Sequence, residues 1–124
     1  MKKTGHIDYV ELPASDIEAT KRFFSDAFGW TFVDYGPEYV SMQRAGLDGG
    51  FYQSDRVAST ETGSALVVLY SDSLEETLER VRNCGGKIVE PIFPFPGGRR
   101  FHFADPNGNE FAVWSERDGE KPDR

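Results

Sequence analysis

His102 is the side chain in this sequence best suited to acid–base work, because an imidazole titrates near neutral pH. It lies in Phe101–Trp114, FHFADPNGNEFAVW, a stretch that reads as a hairpin. Asp105-Pro106-Asn107-Gly108 is turn chemistry: Pro106 pre-sets φ, Asn107 tolerates the bridge region and Gly108 takes φ > 0. A three-residue turn with a glycine bulge sets Asp105 opposite Asn109, Phe103 opposite Phe111, His102 opposite Ala112 and Phe101 opposite Val113. One side of the hairpin is then apolar, and the other carries His102, Ala104, Glu110, Ala112 and Trp114. Two readings of His102 stand: a hydrogen-bonded strand histidine, or a general base or ligand contact for an apolar substrate with one polar group.

The remaining polar candidates are few. Glu11 and Glu110 suit contacts to a cationic ligand, or serve as solvated rim charges. Arg99 and Arg100 are either solvated or a bidentate clamp for an anion. His6 precedes the first strand and reads as a surface residue. Cys84, the sole cysteine, excludes an intramolecular disulfide and a cysteine-rich metal cluster, and reads as a small core residue at a helix end. No Ser/His/Asp series, phosphate-cradling glycine motif or dinucleotide fingerprint is present, so no catalytic residue and no cofactor is assigned. Gly85-Gly86 ends a helix and therefore aims no amides at a phosphate. A formal charge of −7 argues against nucleic acid or an anionic membrane surface as partner. With no apolar run of spanning or signal-peptide character, a cytoplasmic protein is expected.

The elements that must position these residues follow from periodicity. Residues 7–12 read as a strand ended by Pro13, with Val10 and Leu12 on one face and Ile7, Tyr9 and Glu11 on the other. Ser15-Asp16-Ile17-Glu18 fits a capping box, opening a helix to about Phe28 that Gly29 closes. Strands follow at Trp30–Val33, Tyr39–Arg44 and around Gly50-Phe51-Tyr52, then a polar linker, Gln53–Gly63. The pattern then restarts. Ala65–Tyr70 is a strand, and Asp72-Ser73-Leu74-Glu75 opens a helix with Leu74, Leu78 and Val81 in its stripe. Lys87–Val89 is the next strand, and Pro91–Gly98 a long aromatic loop before the hairpin. An offset of 57 carries Leu12 to Leu69, Ile17 to Leu74 and Gly29 to Gly86, and an offset of 62 carries Tyr39–Tyr52 onto Phe101–Trp114. The chain is thus an α+β protein of two βαβββ modules, about residues 6–52 and 64–116 of a single 1–124 domain. Their sheets curve around a cleft with the helices on the outer face, and the charged tail 117–124 is expected to be disordered. Phase puts Ile7, Tyr9, Glu11, Val40, Met42, Tyr52, Val68, Tyr70, His102, Glu110 and Trp114 on the cleft face, for a ligand or a dimer interface.

Two βαβββ halves with a Pro-Ala-Ser-Asp helix entry and a DPNGN hairpin resemble the vicinal-oxygen-chelate superfamily, which includes glyoxalases, extradiol dioxygenases and bleomycin-resistance proteins. The resemblance implies metal ligands on the first and last strands of each half, at the positions held here by Tyr9, Gly50, Leu66 and Ala112. Leucine, glycine and alanine side chains carry no lone-pair donor, so the fold is expected without its metal. What it then implies is a metal-independent homodimer that sequesters an apolar or aromatic small molecule against Tyr9, Glu11, Met42, Tyr52, Tyr70, His102, Glu110 and Trp114. A glyoxalase-like lyase or isomerase, or a dioxygenase-related enzyme, with His102 or Glu110 as base is the alternative.

Overall fold

A computed structural model describes residues 2–116, so the expectation for 117–124 lies outside the described residues. In order the chain forms β1 (Val10–Ala14), α1 (Ile17–Phe28), β2 (Thr31–Asp34), β3 (Tyr39–Gln43) and β4 (Gly49–Gln53). A 3-10 turn at Thr60–Thr62 leads to β5 (Val67–Tyr70), α2 (Leu74–Asn83), β6 (Lys87–Phe95), β7 (Gly98–Ala104) and β8 (Glu110–Ser115). Two four-stranded sheets result, ordered β1-β4-β3-β2 and β5-β8-β7-β6. One pair in each sheet is parallel, β1 with β4 and β5 with β8, because the chain between them passes through a helix and two further strands. This is the α+β pair of βαβββ modules that the repeat implied. Among the described residues no helix is long and apolar enough to cross a membrane.

The helix ends show why they stop where they do. Asp16, not Ser15, caps α1 by accepting from the Ala19 amide at 3.0 Å. Ser15 instead donates to Asn107 Oδ1, a long-range partner that no local pattern reveals. Gly29 takes φ 74° and returns its N–H to the Ser25 carbonyl at 3.0 Å. The stripe Ile17, Thr20, Phe23, Phe24 and Ala27 is buried, as are Leu74, Leu78 and Val81 of α2.

One core serves both modules. Phe24 stacks on Trp30 with ring centroids 4.5 Å apart, and touches Phe51 of its own sheet and Phe111 of the other at 5.7 and 5.1 Å. Phe23 and Phe28 reach Phe103 at 5.8 and 5.9 Å. Such ring pairs add roughly 0.5–1.5 kcal/mol each beyond the area they bury. The faces turned away from this core are the open ones.

Strand β1 starts later than expected and runs through Pro13, which pairs with Tyr52. It can do so because β1 is a sheet edge, where the missing proline N–H costs no ladder bond. Strand β6 corrects a larger misreading. The aromatic loop is strand as far as Phe95, an edge strand whose register shifts twice, between Ile88 and Glu90 and between Glu90 and Phe93. Edge position and irregular pairing absorb Pro91 and Pro94.

The β7–β8 hairpin has the expected register, with His102 opposite Ala112 and Phe103 opposite Phe111. In module 1 Val40 pairs with Phe51, whereas in module 2 Phe101 pairs with Val113. The last strands therefore differ by 62 (113 minus 51) but the preceding ones by 61 (101 minus 40). Carrying 62 across the turn put Val40 and Met42 one residue out of phase; both are core, at 0% and 4% exposed.

The turn is held from inside. Asp105 Oδ1 accepts the amides of Asn107 and Asn109, both at 2.9 Å. Asn109 donates to the Pro13 carbonyl at 2.6 Å and accepts from the Ala58 amide at 2.8 Å. Asn107 accepts the Asp16 amide at 2.9 Å and donates to Thr20 Oγ1 at 2.5 Å. Burial pushes the Asp105 carboxyl up to about 6 from 3.8, against the hydrogen bonds that pull it down. Between those values the folded chain holds a proton that the unfolded chain has released. Stability from this group is therefore fully present below pH 3.8 and is lost as pH rises through about 6. Urea melts from pH 4 to pH 7 should show the wild type losing up to about 1.4 kcal/mol per pH unit relative to Asp105→Asn across that window. Parallel stability profiles for the two proteins would contradict the assignment.

Candidate functional site

Strand alternation builds the open face of module 2 in rows. Val68, Ala112, His102 and Glu90 follow one another across β5, β8, β7 and β6. Tyr70, Trp114, Arg100 and Phe93 form the next row. The residues between them, Phe101, Phe103, Phe111 and Val113, point the other way and are fully buried.

A chain of charge-assisted hydrogen bonds crosses this face. His102 Nδ1 lies 2.7 Å from Glu110 Oε2. Glu110 Oε1 accepts from both the amide and the hydroxyl of Thr60, each at 2.8 Å. On the far side of the imidazole, Arg100 Nη2 and Nε approach His102 Nε2 at 3.0 and 3.3 Å. A guanidinium only donates, so Nε2 must be the acceptor and the ring proton sits on Nδ1, directed at Glu110. Burial raises the Glu110 carboxyl, but the bonds from His102 and Thr60 outweigh it and hold the group below its ordinary value. Both Glu110 oxygens are thus engaged within the protein. The Nε2 lone pair, which a general base would use, is covered by Arg100.

Aromatic rings surround the chain. The Arg100 guanidinium lies 5.9 Å from the Phe93 ring centroid and 5.7 Å from that of Phe95. Phe93 sits 5.8 Å from His102, Phe95 6.2 Å from Trp114, and Trp114 5.2 Å edge-on from Tyr70. The Tyr70 hydroxyl donates to Glu116. Below His102 a cavity of about 530 Å³ opens between Val57, Thr60, Glu61, Glu90 and Glu110.

Module 1 presents a different face. Glu11, Gly50 and Ser41 form one row, and Pro13, Tyr52 and Tyr39 the next. The Tyr39 hydroxyl donates to Glu11 at 2.9 Å and meets the Tyr9 hydroxyl at 2.7 Å. Burial, then the bonds to Tyr9 and Glu11, raise the Tyr39 phenol, so it stays protonated. Between the unpaired edges of β1 and β5, Ile7, Tyr9, Val10, Val68 and Tyr70 line an apolar groove of about 710 Å³.

The expected site residues therefore divide. Tyr70, His102, Glu110 and Trp114 come together on module 2, and Tyr9, Glu11 and Tyr52 share the face of module 1. Among the described residues no hydrogen bond or ring contact joins the two groups. Met42 belongs to neither; the register places it in the core beneath the sheet. Arg99 and Arg100 cannot clamp one anion, since as strand neighbours they face opposite sides and Arg99 is paired with Glu75 on α2. Phe93, Phe95, Thr60 and Tyr39 were missed. The two phenylalanines carried a signal in their alternate spacing, hidden by the prolines; Thr60 carried none.

The four positions where the resemblance implies metal ligands can be tested on their surroundings. Ala112 is fully buried between Val68 and His102. A Cβ at Gly50 would lie 2.2 Å from the Tyr39 hydroxyl, so the room a ligating side chain needs there is filled by that phenol. Tyr9 supplies one neutral hydroxyl already bound to Tyr39, and Leu66 supplies no donor. Among the described residues no three His, Cys, Asp or Glu side chains gather closely enough to hold an ion. This donor set does not fit a divalent metal.

A family model described as the Glyoxalase/Bleomycin resistance protein/Dioxygenase superfamily matches residues 6–113. A glyoxylase-like domain-containing protein from Didymella fabae is 29% identical over 120 residues, covering 88% of this chain and 92% of its own length. A glyoxalase-related enzyme from Fulvimarina pelagi shares the fold at TM-score 0.75 with 23% identity, covering 90% of this chain and 88% of that one. The fosfomycin resistance protein FosX of Listeria monocytogenes, solved as an E126Q mutant with Mn(II) and dihydroxypropylphosphonic acid, matches at TM-score 0.75 and 19% identity over 92% of each chain.

The hydrogen-bond chain makes a directional prediction. In Glu110→Gln the amide oxygen keeps the Thr60 bonds, so the amide nitrogen must face His102 and donate to Nδ1. The ring proton then moves to Nε2, where it confronts the donors of Arg100 and breaks that contact. Long-range proton–nitrogen spectra should report the Nδ1–H tautomer in the wild type and the Nε2–H tautomer in the variant, with a stability loss of about 1–2 kcal/mol. An unchanged tautomer would contradict the network.

Proposed function

Because the chain belongs to the glyoxalase/bleomycin resistance protein/dioxygenase superfamily, we propose that it is a metal-independent binding protein that sequesters an apolar or aromatic small molecule. The observation that carries this reading is the pairing of a chelate position set reduced to one tyrosine hydroxyl with an aromatic face: Tyr70, Phe93, Phe95 and Trp114 ring a single polar cluster. A flat ligand laid against such rings gains dispersion and stacking energy without any metal. Neutral chemistry suffices for retention, since no group there has to turn over.

A homodimer in the cytoplasm is part of the same proposal. Each module leaves one concave face open, and a two-fold partner closes both faces with one self-complementary contact. Light scattering at micromolar concentration should return twice the chain mass; a monomer mass would refute the dimer.

One observation favours a second reading, an enzyme of the lyase or isomerase kind. Glu110 orients the His102 tautomer as an acceptor-bearing base is oriented in catalytic pairs. For that chemistry Arg100 must first leave Nε2.

Plasma emission spectrometry and denaturant melts test the main reading together. Purified protein should carry no stoichiometric Zn, Ni, Mn or Fe, and about one tightly held metal per chain would overturn it. Val113→Ala should cost on the order of 1–3 kcal/mol because it empties core. Trp114→Ala should cost less, yet abolish fluorescence quenching by an aromatic ligand, since the remaining Trp30 is buried against Phe24. Equal destabilisation by the two substitutions would make Trp114 a core residue instead.

A further inference from the structure

We propose that Arg100 selects the ligand of the module 2 face, and that this ligand is a flat aromatic carboxylate. The inference rests on the binding reading above and gives that ligand a charge. It reverses the cationic ligand that Glu11 and Glu110 suggest from the sequence.

The reversal follows from who is already partnered. Arg99 spends its charge on Glu75, with contacts of 2.5 and 3.2 Å. Arg100, one residue on and facing the opposite way, has no carboxylate partner among the described residues. Its two hydrogen bonds end on one neutral imidazole nitrogen. The nitrogen that makes neither bond, Nη1, is not fully buried. Half-buried against Phe93 and Phe95, this cation is held without the counter-charge that its surroundings favour.

The carboxylates on the same face are accounted for. Glu110 is saturated by His102 and Thr60. Glu116 takes the Tyr70 hydroxyl. Glu90 sits across the strand pair from His102, one row below Arg100, and with Glu61 repels an anion from the lower cavity. The position left for negative charge is the Arg100 fork itself. His102 occupies the Nε and Nη2 edge of that guanidinium, so a carboxylate binds its end, with two parallel N–H···O bonds from Nη1 and the second hydrogen of Nη2. An aromatic ring attached to that carboxylate comes to rest among Phe95, Trp114 and Tyr70, which share contacts across the same row. The bond from Arg100 to His102 fixes the fork before the ligand arrives, which lowers the ordering cost of binding.

The test is isothermal titration calorimetry with three probes of one shape: naphthoate, naphthamide and naphthylmethylammonium. Naphthoate should bind at least tenfold tighter than naphthamide, and the ammonium weakest. Arg100→Gln should remove the carboxylate advantage, bringing the affinity for naphthoate down to that for naphthamide in the same variant; Arg100→Lys, which keeps the charge but not the fork, should retain part of it. Equal affinity for naphthoate and naphthamide in the wild type would overturn the anion assignment while leaving aromatic binding intact. A carboxylate preference that survives in Arg100→Gln would overturn the assignment to Arg100. No binding of any probe at millimolar concentration would overturn both this inference and the binding reading beneath it. Should Arg100→Gln fail to fold, the wild-type probe series and Arg100→Lys still decide.

Discussion

The buried side-chain knot at Asp105, Asn107 and Asn109 is the constraint on which the rest of the molecule depends. Apolar contacts between Phe24 and Phe111, or Phe28 and Phe103, draw the modules together but carry little directional information. The knot supplies direction. Asn109 reaches the Pro13 carbonyl, Asn107 the helix entry at Asp16, and the Ala58 amide returns to Asn109. Turn, first strand, first helix and linker are thereby set relative to one another by short bonds; those of Asn109 to the first strand and the linker are buried, where an unmade bond is expensive, whereas the bond to the helix entry is exposed. The same turn fixes the β7–β8 register, and a one-residue slip would turn His102, Arg100 and Trp114 into the core.

Where local rules and tertiary demands agree, the sequence could be read. Helix stripes, the Gly29 exit and the hairpin pairing are all statements about neighbours a few residues apart, and all agree with the structure. The misreadings have a common physical origin in edge strands. Pro13 and the prolines of β6 break strands only where an N–H is needed for the ladder, and an edge needs it on one side only. The phase of β3 failed for another reason. A difference of one residue between two hairpin turns is invisible in a repeat matched by its strands, yet it inverts every side chain before the turn.

The site was legible in its members and illegible in its wiring. His102, Glu110, Tyr70 and Trp114 fall on one face by alternation alone. Whether Glu110 meets a ligand or a histidine depends on side-chain angles and on a linker residue, Thr60, whose type and spacing are those of any polar loop. Two neighbouring arginines read as a pair in sequence, but alternation gives them to opposite sides of the sheet and to different partners. Pairing decides electrostatic character more than composition does: in a chain of net charge −7, Arg100 sits without a carboxylate partner among the described residues, on a face where Glu110 and Glu116 are already hydrogen-bonded.

The module 1 face shows what fills the chelate position there. Gly50 carries no side chain, and Tyr39, one row away on the adjacent strand, places its phenol in the space such a side chain would take and is tied to Tyr9 and Glu11. This is an exchange of volume between neighbours, and it is coupled. A side chain placed at Gly50 would meet the Tyr39 hydroxyl and the Val40 carbonyl well inside contact distance, already at its Cβ. Removing Tyr39 to admit it would leave Tyr9 and Glu11 without the hydroxyl that joins them. Building a chelating face here therefore needs changes at several positions at once, each unfavourable without the others. Such coupling holds the face in its present hydrogen-bonded form as firmly as the Asp105 knot holds the fold.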